Sequence, residues 1–313
     1  MIAVAVVGLY RSLATSLVGL GLLVSMMSAP AIAQTPAKEL FGAMDQPAPL
    51  AARSIGAYAR GCLAGGVALP ITGPYWQHMR LSRNRNWGHP ELIAYLERLA
   101  EDAVERDGWP GLLVGDLSQP RGGPMLTGHR SHQIGLDADI WLTAMPNREL
   151  TPQDREEMSA ISVLREGQLT VDPDIWTPVH HRLIRRAASY PEVARIFVHP
   201  GIKRALCEAE TGDRVWLRKV RPWYGHHYHF HVRLSCPEGL QGCTDQAAPP
   251  AGDGCGSELA WWFTDEPWAP SDTPARPRRE LALGDLPNAC RQVLQAAALP
   301  NAADIPLPRP RPD

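Results

Sequence analysis

Two short windows hold six of the eleven histidines in this chain. The first is Gly128-His-Arg-Ser-His-Gln-Ile-Gly-Leu-Asp-Ala-Asp139, and the second is Gly225-His-His-Tyr-His-Phe-His231. Neutral imidazole offers one free lone pair and is the commonest side-chain metal ligand. Asp137 to Leu142 begins with polar/apolar alternation, which predicts a strand with Asp137 and Asp139 on one face and Ala138 and Ile140 toward a core. His229 to Leu234 alternates in the same way, so His229 and His231 share a face opposite Phe230 and Val232. Two strands of one sheet can therefore aim a carboxylate and two imidazoles at a common point. A catalytic zinc takes three protein ligands plus a water, often two His and one carboxylate. The five histidines outside these windows, His78, His89, His180, His181 and His199, read as surface or satisfied core residues.

The elements that must position these groups are short. After the turn Asn86-Trp87-Gly88-His89-Pro90, apolar residues at Leu92, Ile93, Leu96 and Leu99 predict a helix over 90–106. Gly111 to Gly115 is a buried strand, and Ser118 to Pro124 is a turn-rich loop. Thr151, with Glu157 nearby, opens a further helix, and His180 to Ser189 is helical in composition. Arg195 to His199 is a strand that stops at Pro200. Residues 264–282 and 303–313 are rich in Pro and Arg and are expected to be flexible. No internal repeat is visible. The expected fold is α+β: a central antiparallel sheet flanked by helices, with the metal site on the sheet. The expected organisation is a signal segment at 1–33, a loose lead-in at 34–55, one domain at 56–292 and a Pro-rich tail at 293–313.

Composition narrows the function classes. A hydrophobic share of 44% with 20% charged residues excludes a globally disordered chain. A net charge of −2 gives no basic footprint for nucleic acid. Thirty Pro and 27 Gly in 313 residues exceed the usual combined share of roughly 12% and favour a loop-rich fold. The segment before Ala31-Ile32-Ala33 is largely apolar and reads as a secretory signal cleaved after Ala33. An uncleaved anchor is the alternative, disfavoured because Arg11, Ser12, Thr15 and Ser16 interrupt the ~20 apolar residues that a span needs. No other stretch is long and apolar enough to span a membrane, so no stable span is expected after processing. All six cysteines lie beyond Ala33, and an even count in an exported chain reads as three disulfides with fifteen conceivable pairings. The ten tryptophans include Trp76, Trp87, Trp141, Trp176, Trp216 and Trp223, most of them expected in the core.

The pattern His-x-Ser-His-x-x-Gly-x-Asp-x-Asp, followed far downstream by His-x-x-His-x-His, resembles the penicillin-insensitive murein endopeptidases. These belong with lysostaphin, the D-alanyl-D-alanine metallopeptidases and the hedgehog domain among zinc peptidases. The resemblance runs from about Cys62 to Cys290 and includes Asn86–Pro90, Arg121-Gly122-Gly123, Arg195–Cys207, Trp216–Trp223 and Gly252–Gly256. It implies Zn2+ held by His132, Asp139 and His231, with His129 as a contact for a second metal whose other ligands could come from Glu166 or Asp172. It implies that His229 and His226 are catalytic and not ligands. By residue chemistry His229 leads as general base, with Asp137 ranked below it as base or as a partner orienting a ligand histidine. The resemblance implies disulfides Cys62–Cys290, Cys207–Cys255 and Cys236–Cys243. It also implies a periplasmic enzyme whose partner is the peptidoglycan cross-bridge peptide, cut at the D-alanyl–meso-diaminopimelyl bond.

Three rivals stand beside this reading. A 2-His-1-carboxylate Fe(II) oxygenase usually places its carboxylate two residues after the first His, whereas here the gap from His132 is seven. A zinc-stabilised module could bind peptidoglycan without cutting it. A D,D-carboxypeptidase would release terminal D-Ala instead of splitting dimers. A penicillin-type serine mechanism fits poorly, because no Ser-x-x-Lys follows the signal segment. The sequence leaves the oligomeric state open.

Overall fold

The computed structural model describes residues 35–270 and 279–297. The predicted signal segment and the last sixteen residues, 298–313, lie outside the described residues. A hairpin of β1 (Arg53–Ala57) and β2 (Arg60–Ala64) comes first after a short helix α1 (Ala37–Gly42), and β3 (Val67–Ala68) pairs with β5 (Trp87–Gly88). The main sheet contains β4 (Trp76–His78), β6 (Leu112–Val114), β7 (Asp137–Trp141), β8 (Val193–Val198), β9 (Val220–Pro222) and β10 (His229–Leu234). Its six strands run in the order β4-β6-β7-β10-β8-β9.

The sheet is mixed, which corrects the antiparallel expectation. Its centre is antiparallel, but β4 pairs with β6 and β8 with β9 in parallel. Parallel neighbours need a crossover, and helices provide both. Helix α2 (Pro90–Asp107) lies between β4 and β6 in the chain, and α5 (Pro200–Ala209) lies between β8 and β9. Between β7 and β8 come α3 (Pro152–Glu157) and α4 (Pro178–Ser189), and α6 (Ser257–Ala260) follows β10.

Local chemistry sets the helix ends. In α2 the His89 ring accepts from the Glu91 N–H, Pro90 takes the first turn, and Gly108 closes the helix at φ +74°. Thr151 caps α3 through a reciprocal box with Asp154, not with Glu157. Leu92, Leu96 and Leu99 of α2 and Leu183, Ile184 and Ala187 of α4 join Ala138, Ile140, Ile196, Phe230 and Val232 in the main core. Those strand residues all point to the helices, so the opposite face carries Asp137, Asp139, His229 and His231.

A second cluster ties the two ends of the fold together. Phe41 of α1 and Val293 of α7 (Ala289–Gln295) are fully buried with Ile55, Cys62 and Cys290. The expected loose lead-in is therefore packed, and α7 carries the fold past residue 292. Gly123 permits this closeness, since a Cβ there would sit 2.3 Å from the Phe41 ring. Within the stretch expected to be flexible, Glu266–Trp268 forms a helical turn, and Trp268 Nε1 donates to the Trp262 carbonyl at 2.8 Å. Three disulfides join Cys62 to Cys290, Cys207 to Cys255 and Cys236 to Cys243. That is the pairing the resemblance implies. Among the described residues no helix is long and apolar enough to cross a membrane.

Candidate metal centre

Strands β7 and β10 pair so that His231 lies opposite Asp139, and Arg233 opposite Asp137. His132 arrives from the loop before β7 with a left-handed backbone, φ +67°. Three polar atoms then form a small triangle. His132 Nε2 is 3.2 Å from His231 Nδ1 and 3.6 Å from Asp139 Oδ1, and His231 Nδ1 is 3.3 Å from Asp139 Oδ1. Zinc–ligand bonds of 2.0–2.1 Å in a tetrahedron place ligand atoms ~3.3 Å apart. The triangle has that size.

The far side of each imidazole fixes which nitrogen carries hydrogen. His132 Nδ1 donates to the Leu117 carbonyl at 2.9 Å, and His231 Nε2 donates to Asp137 Oδ1 at 2.6 Å. In these neutral tautomers the nitrogens of His132 and His231 that face each other and the carboxylate carry no hydrogen, although Asp137 and Asp139, against burial, raise the His231 imidazole above its ordinary value. A cation, either a proton on His231 or a metal ion, relieves the repulsion of such a convergence. Asp139 Oδ1 is buried with no hydrogen-bond partner among the described residues, as expected of an atom meant for a metal.

Charge and burial follow the same plan. Burial, with His129 next to it, pushes His132 down to about 3, so its lone pair stays free at neutral pH. Burial alone would raise Asp139, but His229, His129 and His132 together hold its carboxyl well below the usual range. Burial also opposes ionisation of Asp137, and Arg233 and His231 overcome it. Arg233 Nε donates to Asp137 Oδ1 at 2.7 Å, while Asp137 Oδ2 accepts the His132 N–H at 3.2 Å. Asp137 thus orients both histidines and is wholly buried. That fits the orienting role better than the base role.

The remaining predicted residues gather around this triangle. His129 lies 3.4 Å from the other Asp139 oxygen, through Nε2, and 3.0 Å from Asp116 Oδ2. His129, His132 and Asp139 form a cluster able to hold a metal ion. His229 Nε2 is 3.7 Å from Asp139 Oδ1, and its Nδ1 is buried without a partner among the described residues. Burial lowers its basicity. His226, also left-handed at φ +55°, lies tilted 4.8 Å from His229 and 6.0 Å from His231, ring centre to ring centre. Its Nδ1 donates to the Tyr224 carbonyl at 2.7 Å, which leaves Nε2 as the nitrogen without hydrogen, and burial pushes the ring down to about 4. Glu166 is exposed and Asp172 accepts from the Asp174 N–H at 3.0 Å, so neither belongs to the cluster. His227 faces Ser162, at 2.9 Å.

Asp116 is the residue that reading the sequence missed. It accepts from Arg85 at 2.8 Å and Arg83 at 3.0 Å as well as facing His129. Its one signal was position, directly after the apolar strand that ends at Gly115. Two recesses meet at His129. One, of 840 Å³, runs past Phe197, Trp223 and Trp262, and the other, of 270 Å³, runs past Arg83, Tyr228 and His229. Trp76, Trp87, Trp141 and Trp216 are buried, as expected for most of the set, whereas Trp223 is 52% exposed and lines the larger recess.

Comparison with known proteins covers most of the chain. The family model described as penicillin-insensitive murein endopeptidase matches residues 54–295. A protein of that name from Haemophilus influenzae is 46% identical over 245 residues, 78% of this chain and 83% of the relative. One from Klebsiella pneumoniae is 44% identical over 255 residues, 82% of this chain and 90% of the relative. One from Yersinia enterocolitica is 40% identical over 274 residues, 88% of this chain and 95% of the relative. With the match spanning both histidine windows and all six cysteines, the chain belongs to the penicillin-insensitive murein endopeptidase family.

Proposed function

We propose that this protein is an exported, zinc-dependent endopeptidase that hydrolyses D-alanyl–meso-diaminopimelyl cross-links in peptidoglycan. The observation that carries this reading is the triangle of His132 Nε2, Asp139 Oδ1 and His231 Nδ1, in which two imidazole nitrogens and a carboxylate oxygen converge within 3.2–3.6 Å of one another. Two imidazoles and one carboxylate with an open side suit zinc. Zinc bound there supplies an activated water and polarises the scissile carbonyl.

The chain's own residues do the rest. Asp137 and the Leu117 carbonyl fix the ligand tautomers. His229, whose ring is uncommitted, takes the proton from the attacking water and returns it to the leaving amine. His226 offers its Nε2 lone pair beside His229 and steadies that proton transfer. His129 faces the second oxygen of Asp139 and is the contact for a second ion. The two recesses favour an endopeptidase over a D,D-carboxypeptidase, because a cross-linked dimer extends on both sides of the bond cut. An intact catalytic set beside the ligands disfavours a module that only binds. The relatives' names, which point to murein, and the apolar segment before Ala33 support a periplasmic location.

Purified cross-linked muropeptide dimers test the proposal. The protein should release monomers and no free D-Ala, stop after chelation, and resume when zinc returns. Cleavage by thoroughly metal-free protein would refute metal dependence. Free terminal D-Ala would make the enzyme a carboxypeptidase, and binding without cleavage would make it a binding module.

A further inference from the structure

The wall of the larger recess continues from the metal triangle along three strands. Arg233 on β10 lies opposite Arg195 on β8, and Arg221 on β9 lies opposite Phe197. By strand alternation these four residues share the face of His229 and His231. All four line the 840 Å³ recess.

Three guanidinium groups this close need countercharge, and two have it. Arg233 binds Asp137 at 2.7 Å. Arg221 pairs with Glu258. Arg195 does not: its hydrogen bond goes to the Ala247 carbonyl, and no carboxylate among the described residues lies within ion-pair reach of it. It is half-buried, and Arg233 and Arg221 both press on its charge. A cation held in a recess against its own kind is stabilised most by an anion arriving with a ligand. Sheet spacing places its Cα ~8 Å from that of His231, one strand over and two residues along. Trp223 stacks edge-on against Phe197 at 6.2 Å and covers the approach.

We propose that Arg195 is the specificity residue for a free carboxylate that the substrate carries next to the scissile amide. This rests on the proposed endopeptidase reading, in which the amide nitrogen sits on a diaminopimelate centre that also bears a carboxylate. Loss of the arginine removes a charge-assisted bond, worth about 10–100-fold in kcat/KM.

The test uses two dimers, one with that carboxylate free and one with it amidated. The wild-type enzyme should prefer the acid by about 10–100-fold in kcat/KM, mainly through KM. Arg195→Gln should slow the acid to the rate of the amide, leave the amide within about twofold, and keep its zinc, while Arg195→Lys recovers part of the preference. An equal loss on both dimers, or a preference that survives Arg195→Gln and disappears in Arg130→Gln, would overturn the assignment. Binding separates this question from cleavage. Zinc-loaded His229→Ala, titrated by tryptophan fluorescence, should bind the acid dimer more tightly than the amide, and adding Arg195→Gln should abolish the difference. If the wild-type enzyme cuts neither dimer, the endopeptidase reading fails while this titration still decides the subsite. Equal affinity for acid and amide overturns the subsite.

Discussion

His132 and His226 both hold a left-handed backbone, at φ +67° and +55°. For an L-residue that conformation costs ~1–2 kcal/mol, and it persists where the surroundings hold it. His132 is held by its ring bond to Leu117 and its N–H bond to Asp137. His226 is held through its carbonyl, which accepts from the His199 N–H at 3.0 Å, and through its ring bond to Tyr224. The strain therefore aims two imidazoles that a relaxed loop would turn away. Glycine at 226 relieves it and alanine does not. In urea unfolding, His226→Gly should be more stable than His226→Ala by about 1 kcal/mol, while both cleave dimers at least ~10-fold more slowly. Equal stabilities would mean that the turn imposes no strain on His226.

The pairing of β7 with β10 does the positioning at the next scale. A slip of one residue would turn Asp139 or His231 into the core, so register and site are one constraint. Asp137 locks the pair from beneath. Asp137→Asn should lower zinc affinity 10–100-fold in chelator competition, because it weakens the orientation of His231 and leaves Arg233 without its countercharge. Unchanged affinity would show that Asp137 serves only the fold. Much of this was readable beforehand: alternation over Asp137–Leu142 and His229–Leu234 gives the shared face directly. The parallel edges were not readable, since Trp76–His78 and Val220–Pro222 are three-residue strands, too short to show a period. Asp116 belongs to no motif, and its role arises only when Arg83, Arg85 and His129 converge on it. Which of the tryptophans stays exposed was not readable either, because burial of one aromatic depends on what crosses above it.

At the scale of the whole domain, the two ends of the described fold are fastened to each other. The Cys62–Cys290 bond closes a loop of 228 residues, which in the chain-entropy model contributes about 5 kcal/mol before strain. Arg121, buried, donates to the carbonyls of Val293, Leu294 and Ala296 and so caps the end of α7. Truncation after Ala302 should leave melting temperature and activity unchanged. Truncation after Gln292 should cost about 3 kcal/mol, from the lost burial of Val293 and the stranded guanidinium. If both truncations melt alike, the C-terminal clasp has no energetic weight. The same folding brings His132 and His231, 99 residues apart, within contact. Whether that contact holds a metal is decided by zinc content and dimer cleavage measured together in His231→Ala and His229→Ala. His231→Ala should lose zinc and activity together. His229→Ala should keep about one zinc per chain and still lose ~10²–10⁴-fold in rate, as expected when a positioned acid–base is removed. Loss of zinc from both variants to the same extent, or full activity in His229→Ala, would contradict the division between ligand and catalyst on which this account rests.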